Sequence, residues 1–375
     1  MEDKFENLRP YRQPEIAPAM KRIAQSEHFG KMAAFVFPGR DTEEIRRMVA
    51  GITTTEEFQA KVMSELNKQV IKNSIRRFSS HGVQFLDPAK GYLFVSNHRD
   101  IMLDSALLQQ IFFRNGMRTT KITFGSNLMS SQLIVDIGKS NKMFTVIRDA
   151  NMKEFYKNSL LLSEYIRHTV TEEQESVWIA QRNGRTKDGR DATDQGIVKM
   201  FGMSEKAGMV EAISRLNIVP VAVSYQIEPC DFFKTREMYC RMCGESYVKK
   251  QEEDFTSIIT GIVAPKGDVH INICEPLRPE ELIFPDAVAP NDFYKNVAAL
   301  IDRRIHDGYK LTCNNYIAHD LRSGDNRYAA YYTDAEKNEF VRRYHEALNL
   351  PEENKEIVSS IFLGIYANPV DKKSG

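Results

Sequence analysis

Short apolar runs, separated by longer stretches with helical spacing, constrain the fold of this chain more than any other feature. Each run is long enough for a buried strand and too short for a helix. The runs are Tyr92–Ser96, Ile122–Phe124, Phe144–Ile147, Val177–Ala180, Ile218–Val223 and Val269–Ile273. The helical patterns between them are Ser105–Phe113, Ser130–Ile137, Glu154–His168 and Met203–Leu216. Strands that alternate with helices are typical of a mainly parallel sheet with helices on its faces, so the sequence predicts an α/β fold.

The two ends of the chain read as helical rather than alternating. Apolar residues recur at helical spacing in Ile16–Ser26, Glu56–Phe78, Phe293–Ile305, Ala335–Leu348 and Lys355–Tyr366. A further helical insertion, 231–262, precedes the last strand run. We therefore predict three parts: a helical N-terminal segment (1–84), an α/β domain (85–280) and a helical C-terminal segment (281–375).

The charge balance and hydropathy of the chain give no indication of nucleic-acid binding, secretion or a membrane-spanning helix. The 51 basic and 51 acidic residues balance, so no global field attracts nucleic acid, and an anionic substrate must meet a local cluster of cations. The first 15 residues are polar and lack the apolar core of a signal peptide. No run approaches the roughly 18 apolar residues of a membrane-spanning helix. We expect a cytoplasmic chain, either free or peripheral on the inner face of the membrane.

Five cysteines give little indication of a metal or redox site. Cys240 and Cys243 have C-x-x-C spacing, but no second pair of ligands stands nearby. An odd count in a large chain without a secretion signal favours free thiols.

The segment after the first strand run contains the most chemically informative residues. Asn97 and His98 are followed by two aspartates, Asp100 and Asp104. Imidazole titrates near neutral pH, and a carboxylate on its second nitrogen fixes the tautomer that acts as a general base. Asp104 follows His98 by six residues. In a continuous helix the two side chains would lie on different faces, so Asp104 can contact His98 only if part of the segment is not helical. Asp100 is the alternative partner.

The motif Asn97-His98, followed by an aspartate, resembles the first signature of the glycerolipid acyltransferase superfamily, Asn-His-x4-Asp. Here five residues, rather than four, separate His98 from Asp104. Three later segments resemble the family's other signatures in the same order. Arg148 follows a strand run where the family has a phosphate-binding arginine, and Ile218–Val223 corresponds to an apolar strand with a central proline.

The remaining signature is a loop after the strand run Val177–Ala180. The family's Phe-Pro-Glu-Gly-x-Arg-Ser loop corresponds to the residues from Gln181 to Lys187, with Asn183 at the glutamate position and the arginine one place early, at Arg185. Glycine allows backbone amides to approach phosphate closely, and arginine binds it with two hydrogen bonds. The resemblance covers roughly residues 85–225.

This resemblance implies an acyltransferase in which His98 removes a proton from the hydroxyl of a glycerophosphate or lysophospholipid acceptor, with Asp104 or Asp100 as its partner. The acyl donor is acyl-CoA or acyl carrier protein, used as a co-substrate, with no cofactor or metal. The residues implied in substrate binding are Asn97, Arg99, Arg148, Arg182, Asn183, Gly184, Arg185 and Lys187.

Alternatives remain open because the third signature is altered. The acceptor could be a lyso-lipid without a phosphate, such as a lyso-amino-acid lipid, or the chain could be a non-catalytic relative that binds lipid or acyl-CoA. Hydrolysis of the thioester by water is a lesser option. The apolar stretch Ile357–Tyr366 either packs on the core or docks on a membrane, and Phe232–Arg236 is a second candidate for contact with a bilayer.

Overall fold

A computed structural model describes residues 4–129, 131–147, 152–244, 247, 253–286 and 289–374. The described helices before the sheet core are α1 (Gln13–Gln25), α2 (Phe29–Val36), α3 (Thr42–Ala50), α4 (Thr55–Phe58) and α5 (Ser64–Ser74). Those within the core and its insertion are α6 (Leu103–Arg114), α7 (Gln132–Ser140), α8 (Met152–Arg167), α9 (Gln195–Gly202), α10 (Met209–Ser214), α11 (Asp231–Met242) and α12 (Glu253–Val263). The last four are α13 (Pro290–Gly308), α14 (Cys313–Ser323), α15 (Asp334–Leu348) and α16 (Lys355–Ser374).

Seven strands form one sheet in the order β1-β7-β6-β2-β5-β3-β4. They are β1 (Ile75–His81), β2 (Leu93–Ser96), β3 (Lys121–Gly125), β4 (Met143–Val146), β5 (Val177–Ala180), β6 (Ile218–Tyr225) and β7 (Gly267–Ile273). Every neighbouring pair is parallel except β6 and β7. The prediction of an α/β fold with a mainly parallel sheet is confirmed, and all six apolar runs contain strands.

The sheet begins earlier than the sequence predicts. The helix expected over Glu56–Phe78 ends at Ser74, and the next residues form β1, which pairs in parallel with β7. Most residues of β1 are exposed or half-buried because it is an edge strand. It therefore lacks the continuous apolar character of the buried strands, which is why its sequence gave no strand signal.

One more local prediction differs from the structure, and one proline within the sheet calls for an explanation. The helix expected over Met203–Leu216 is shortened to α10 (Met209–Ser214), because α9 already ends at Gly202 and Gly208, just before α10, has a positive φ of 99°. Pro220 lies within β6, inside the sheet, although proline favours edges. The carbonyl of Pro220 accepts from the backbone nitrogen of Cys274, beyond the end of β7, so the missing amide falls where the pairing of the two strands stops.

The helix α16 is buried on all sides in its central part. Phe362 and Tyr366 are at most 1% exposed and pack within a cluster that includes Phe340 of α15. A helix that is apolar all round belongs in a core, so the alternative of a membrane-docking C-terminal segment is wrong. The segment Phe232–Arg236 is partly packed in the protein: Lys234 and Thr235 are buried and Phe232 stacks on Phe362, whereas Arg236 is exposed.

Among the described residues, no helix combines the length and apolar character needed to cross a bilayer.

Candidate active site

His98 and Asp104 are in contact at the end of β2. The Nδ1 atom of His98 lies 3.0 Å from Oδ2 of Asp104. Strand β2 ends at Ser96 and helix α6 begins at Leu103, so the residues between them form a loop. This loop folds His98 back over the first turn of α6, so His98 reaches Asp104 although five residues separate them.

Asp104 is completely buried, and its position is fixed by several donors. Its Oδ2 also accepts from the backbone amides of Arg99 at 2.7 Å and Asp100 at 2.9 Å. Its Oδ1 accepts from the hydroxyl of Tyr225 at 2.9 Å. Burial, followed by the charge of Asp104, raises the pKa of Tyr225 well above its usual value, so the phenol remains a donor. This carboxylate can therefore hold the imidazole of His98 in one orientation.

Asp100 has a different place from Asp104. Its Oδ1 accepts from the backbone amides of Met102 and Leu103, both at 2.9 Å, and so caps the first turn of α6. Burial, and then the neighbouring charge of Asp104, raises the pKa of Asp100. Of the two candidate partners, the structure brings Asp104 to His98 and directs Asp100 to the helix terminus.

Asn97 faces the interior of the protein rather than a substrate. Its side-chain nitrogen donates to Asp191 Oδ2 and to the carbonyl of Val223, both at 3.0 Å. Its side-chain oxygen accepts from the amide of Val223 at 2.7 Å. Asn97 thus joins the His98 loop to β6, and the expectation that it contacts substrate is corrected.

Arg99 also points inward, although the sequence predicted a substrate contact. Its side chain is 1% exposed and pairs with Asp191 at 2.7 Å and Glu228 at 3.1 Å. Burial alone would lower the pKa of Arg99, but the two carboxylates raise it well above its ordinary value. Lys234, equally buried, donates to Glu228 at 2.5 Å and to the carbonyl of Arg99 at 2.7 Å. We call Arg99, Asp191, Glu228 and Lys234 the buried charge network.

The loop after β5 lies against the His98 loop. The backbone amide of Thr186 donates to the carbonyl of His98 at 2.7 Å, and the Thr186 hydroxyl donates to Asp191 at 2.8 Å. Burial would raise the pKa of Asp191, but Arg99 and the hydrogen bonds of Asn97 and Thr186 lower it. The buried charge network therefore supports both loops at once.

The same loop contacts the C-terminal helix. Gly189 has a φ of 75°, and a Cβ atom there would come within 2.2 Å of the carbonyl oxygen of Ile365 in α16. The side chain of Asn368 donates to the carbonyl of Asp188 at 2.6 Å. Tyr366 donates to Asp231 at 2.5 Å and accepts from the amide of Glu228 at 3.2 Å. The loop after β5 is thus held on one side by α16.

A cavity of about 940 Å³ lies at the carboxyl ends of β2, β3, β4 and β5, where ligands of α/β proteins usually bind. His98 and the predicted residues Arg182, Asn183, Gly184, Arg185 and Lys187 all line it. Most of the remaining lining is apolar, and the Trp178 ring lies edge-on to His98 with centroids 6.0 Å apart. Arg148 lies outside the described residues.

The two central cations of the loop differ in their surroundings. Arg185 is 9% exposed and its Nη2 donates to Ser257 at 3.4 Å, whereas its buried Nη1 has no hydrogen-bond partner among the described residues. Lys187 is paired with Glu237. Burial lowers the pKa of Lys187, and the pairing with Glu237 opposes that shift. Of these two, Arg185 is the cation with donor capacity left for an anion.

Several residues of the site escaped sequence reasoning. Trp178 sits in a strand whose apolar pattern indicated only burial, and Tyr225 ends another such strand. Asp191, Glu228 and Lys234 lie in segments without a motif, and their importance appears only when the fold buries them together. Trp178 is the only tryptophan of the chain, which is the one signal that could have singled it out.

Within the described ranges, one group of side chains has the spacing of metal ligands: His319, Asp320 and Asp325. It lies at the end of α14, and none of its members lines the cavity. The carboxylate of Asp320 already accepts from the amide of Tyr328 and the hydroxyl of Tyr332. These contacts give the group a structural role at the helix terminus.

Comparison with known proteins places this site in a known class. Residues 77–225 match the family model described as Acyltransferase, and this span contains His98, Asp104 and the loop after β5. This match supports the resemblance to the glycerolipid acyltransferase superfamily that the four motifs indicate.

Among solved structures, the chain is similar to the 1-acyl-sn-glycerophosphate (LPA) acyltransferase PlsC from Thermotoga maritima. The two are 14% identical, with a TM-score of 0.36, over 77% of this chain and 94% of that one. A comparison with curated proteins finds no match.

Proposed function

We propose that this acyltransferase moves a fatty acyl group from acyl-CoA or acyl carrier protein to the hydroxyl of a glycerophosphate or lysophospholipid acceptor, with His98 as the general base. The observation that carries the proposal is the contact of 3.0 Å between His98 Nδ1 and Asp104 beside the cavity. With Nδ1 donating to Asp104, the lone pair of the imidazole is on Nε2. Nε2 is then the atom that takes a proton.

In the proposed reaction, Nε2 of His98 takes the proton of the acceptor hydroxyl while its oxygen attacks the thioester carbonyl carbon. A tetrahedral intermediate forms and collapses, the carbon–sulfur bond breaks, and the ester bond remains. The leaving thiolate takes the proton back from the imidazolium, which returns His98 to its neutral state. Asp104 stabilises the imidazolium between the two transfers.

The acceptor and the acyl chain divide the cavity between them in this proposal. The apolar lining around Trp178 suits the acyl chain, because burial of methylene groups stabilises binding by about 0.8 kcal/mol each. The buried Nη1 of Arg185 suits an oxygen of the acceptor phosphate, since an unpaired buried donor gains most from an anionic partner. Arg182 and Lys187 line the same region. Arg148 remains a predicted phosphate ligand.

The exposed position of Asn183 is compatible with a second class of acceptor, in which the head group is not a phosphate. Asn183 replaces the family glutamate and lines the cavity beside Arg182 and Gly184. An amide both donates and accepts, so it can bind an acceptor head group that is not a phosphate. A lyso-amino-acid lipid is therefore included among the acceptors to be tested.

The test is acyl transfer by the purified protein from labelled acyl-CoA or acyl carrier protein. Acceptors are glycerol-3-phosphate, lysophosphatidic acid and a lyso-amino-acid lipid. We expect lipid product from the wild type and a loss of about 10²–10⁴-fold in His98→Ala, the range that general-base transfer contributes. The matched control is His81→Ala, an exposed histidine of β1 outside the cavity, which should retain full activity.

Other products separate the alternatives. Release of labelled fatty acid without lipid product would identify a thioesterase. Tight binding of acyl-CoA with no product from any acceptor would identify a non-catalytic relative. Equal activity of His98→Ala and wild type would remove the general-base role.

A further inference from the structure

Helix α12 exposes an apolar stripe to solvent, although Ile262 packs on the core. Ser257 and Gly261 face inward, where Ser257 accepts from Arg185 and Gly261 lies against Asp100. On the opposite face, Phe255, Ile259 and Val263 are spaced four residues apart and are 43% to 60% exposed. A surface helix of a soluble protein normally has the reverse arrangement, with its apolar stripe against the core.

Helix α8 presents a second exposed apolar face where it begins. Met152, Phe155 and Tyr156 recur at helical spacing, are 61% to 89% exposed, and line the cavity as well. Lys153 and Lys157, four residues apart, are exposed beside this face. The start of α8 therefore combines an apolar face with flanking cations, which is the pattern of a helix that lies in a membrane interface.

Both helices border the same cavity. Asp254, which directly precedes Phe255, lines it together with the first turn of α8. Between them, Asn127 also lines the cavity and donates to Asp254 at 3.4 Å. We name Met152, Phe155, Tyr156, Phe255, Ile259 and Val263 the rim surface.

We propose that the rim surface inserts into the interface of a lipid bilayer with anionic headgroups and holds the cavity opening against it. This inference rests on the proposed function, because it supplies the route by which a lipid acceptor reaches His98. Exposed apolar groups at an opening lower the free energy of the bound state by leaving water. The cations beside them, Lys153, Lys157 and Lys199, complement anionic headgroups.

Continuity with the cavity favours a bilayer over a protein partner. Met152 and Tyr156 are both exposed to solvent and part of the cavity wall. A lipid that moves from the bilayer to the cavity would pass along these side chains without exposing its acyl chain to water. The central part of α16, which the sequence had suggested for this task, is buried instead.

The first experiment measures binding of the full chain to vesicles by sedimentation. Vesicles contain phosphatidylcholine alone or with phosphatidylglycerol. Phe255→Ser/Ile259→Ser should weaken binding at least tenfold. The matched control is Tyr331→Ser/Ile283→Ser, which removes one aromatic and one isoleucine that are 61% and 65% exposed but do not line the cavity. It should change binding less than twofold.

A second pair of variants tests the charge contribution. Lys153→Ala/Lys157→Ala should weaken binding to vesicles with phosphatidylglycerol and leave binding to phosphatidylcholine unchanged. Equal vesicle binding by wild type and Phe255→Ser/Ile259→Ser would overturn the proposal.

Activity in solution separates this inference from the proposed function. Phe255→Ser/Ile259→Ser should retain wild-type turnover of glycerol-3-phosphate with a short-chain acyl-CoA in the absence of vesicles. If the variant binds vesicles normally but loses activity only with acyl carrier protein, the rim surface is a protein-docking site and the bilayer proposal is wrong. If wild type binds vesicles through the rim surface without any acyl transfer, the proposed function fails while the docking surface remains.

Discussion

The wall of the cavity that contains His98 and the rim surface at its opening are built in opposite ways. Behind His98, Asp104 accepts four hydrogen bonds, and the neighbouring buried charge network has almost no exposure to solvent. At the rim, Phe155 and Phe255 are mostly exposed. The reacting groups are thus held in one geometry, whereas the opening can adapt to a partner. In the proposed reaction, the fixed geometry would serve the chemical step and the exposed rim would serve entry of substrate.

Of the substitutions that test this contrast, Asp104→Asn should reduce activity most, because it changes the buried carboxylate that contacts His98. If the amide oxygen stays near His98, the amide nitrogen faces the Tyr225 hydroxyl. If it turns, the nitrogen opposes three donors, from His98, Arg99 and Asp100. Either arrangement removes the negative charge that stabilises the imidazolium. We expect kcat/KM to fall by about 10²–10⁴-fold.

Tyr225→Phe is the control for this substitution, since it removes a single hydrogen bond to Asp104. It should reduce kcat/KM by less than about tenfold, in keeping with the roughly 1 kcal/mol of one hydrogen bond. Circular dichroism should show that both variants are folded. If the Asp104→Asn enzyme is as active as Tyr225→Phe, the buried carboxylate of Asp104 does not stabilise His98 in the reaction.

Glu228→Gln should reduce the stability of the same wall. It leaves Lys234 buried without its carboxylate and removes one of the two partners of Arg99. Removing one partner of a buried ion pair costs about 3–5 kcal/mol. Urea unfolding should show a loss of that order in the free energy of unfolding.

The double variant Glu228→Gln/Lys234→Met sharpens this result, because it removes the unpaired charge together with its partner. Stability should recover in part, but not fully, since Lys234 also donates to the carbonyl of Arg99. A single Glu228→Gln variant as stable as wild type would show that the network contributes little.

Arg185→Ala should have the smallest effect of the three, because it acts on binding near the opening. The acceptor loses a cation whose Nη1 lacks a partner among the described residues. We expect KM for a phosphate-bearing acceptor to rise about 10–100-fold, the value of one charge-assisted contact, with a smaller change in kcat. Arg190→Ala, in the same loop but exposed and outside the cavity lining, should leave KM unchanged. If KM rises equally in both variants, the acceptor responds to the overall positive charge of the loop rather than to a direct contact with Arg185.

The parallel core could be predicted from sequence because its strands are buried on both faces. Val177–Ala180 and Ile218–Val223 are continuous apolar runs for that reason. The same logic placed His98 and the loop after β5 at one edge of the sheet, where His98, Arg182 to Arg185 and Lys187 line one cavity. The motif left Asp104 and Asp100 as alternative partners of His98, and the fold brings Asp104 into contact with it.

Other features depend on tertiary contacts that a linear pattern does not record. The strand β1 is polar because it lies at an edge, and β7, which comes after the helical insertion, pairs antiparallel with β6. Asn97 and Arg99 flank His98 in sequence, but their side chains turn inward toward Asp191. Asp191 lies more than 90 residues further along the chain, so the motif around His98 could not predict that Asn97 and Arg99 contact it.

The packing of α16 on the loop after β5 has a consequence for the order in which the protein matures. Gly189 rests against the carbonyl of Ile365, and Glu228 is bound through Tyr366. On the ribosome, the sheet and His98 are synthesised well before these helix residues emerge. The nascent chain therefore carries every residue of its chemistry before it has the support that sets their geometry. The loop after β5 therefore gains this support only once α16 has been synthesised and docks against it.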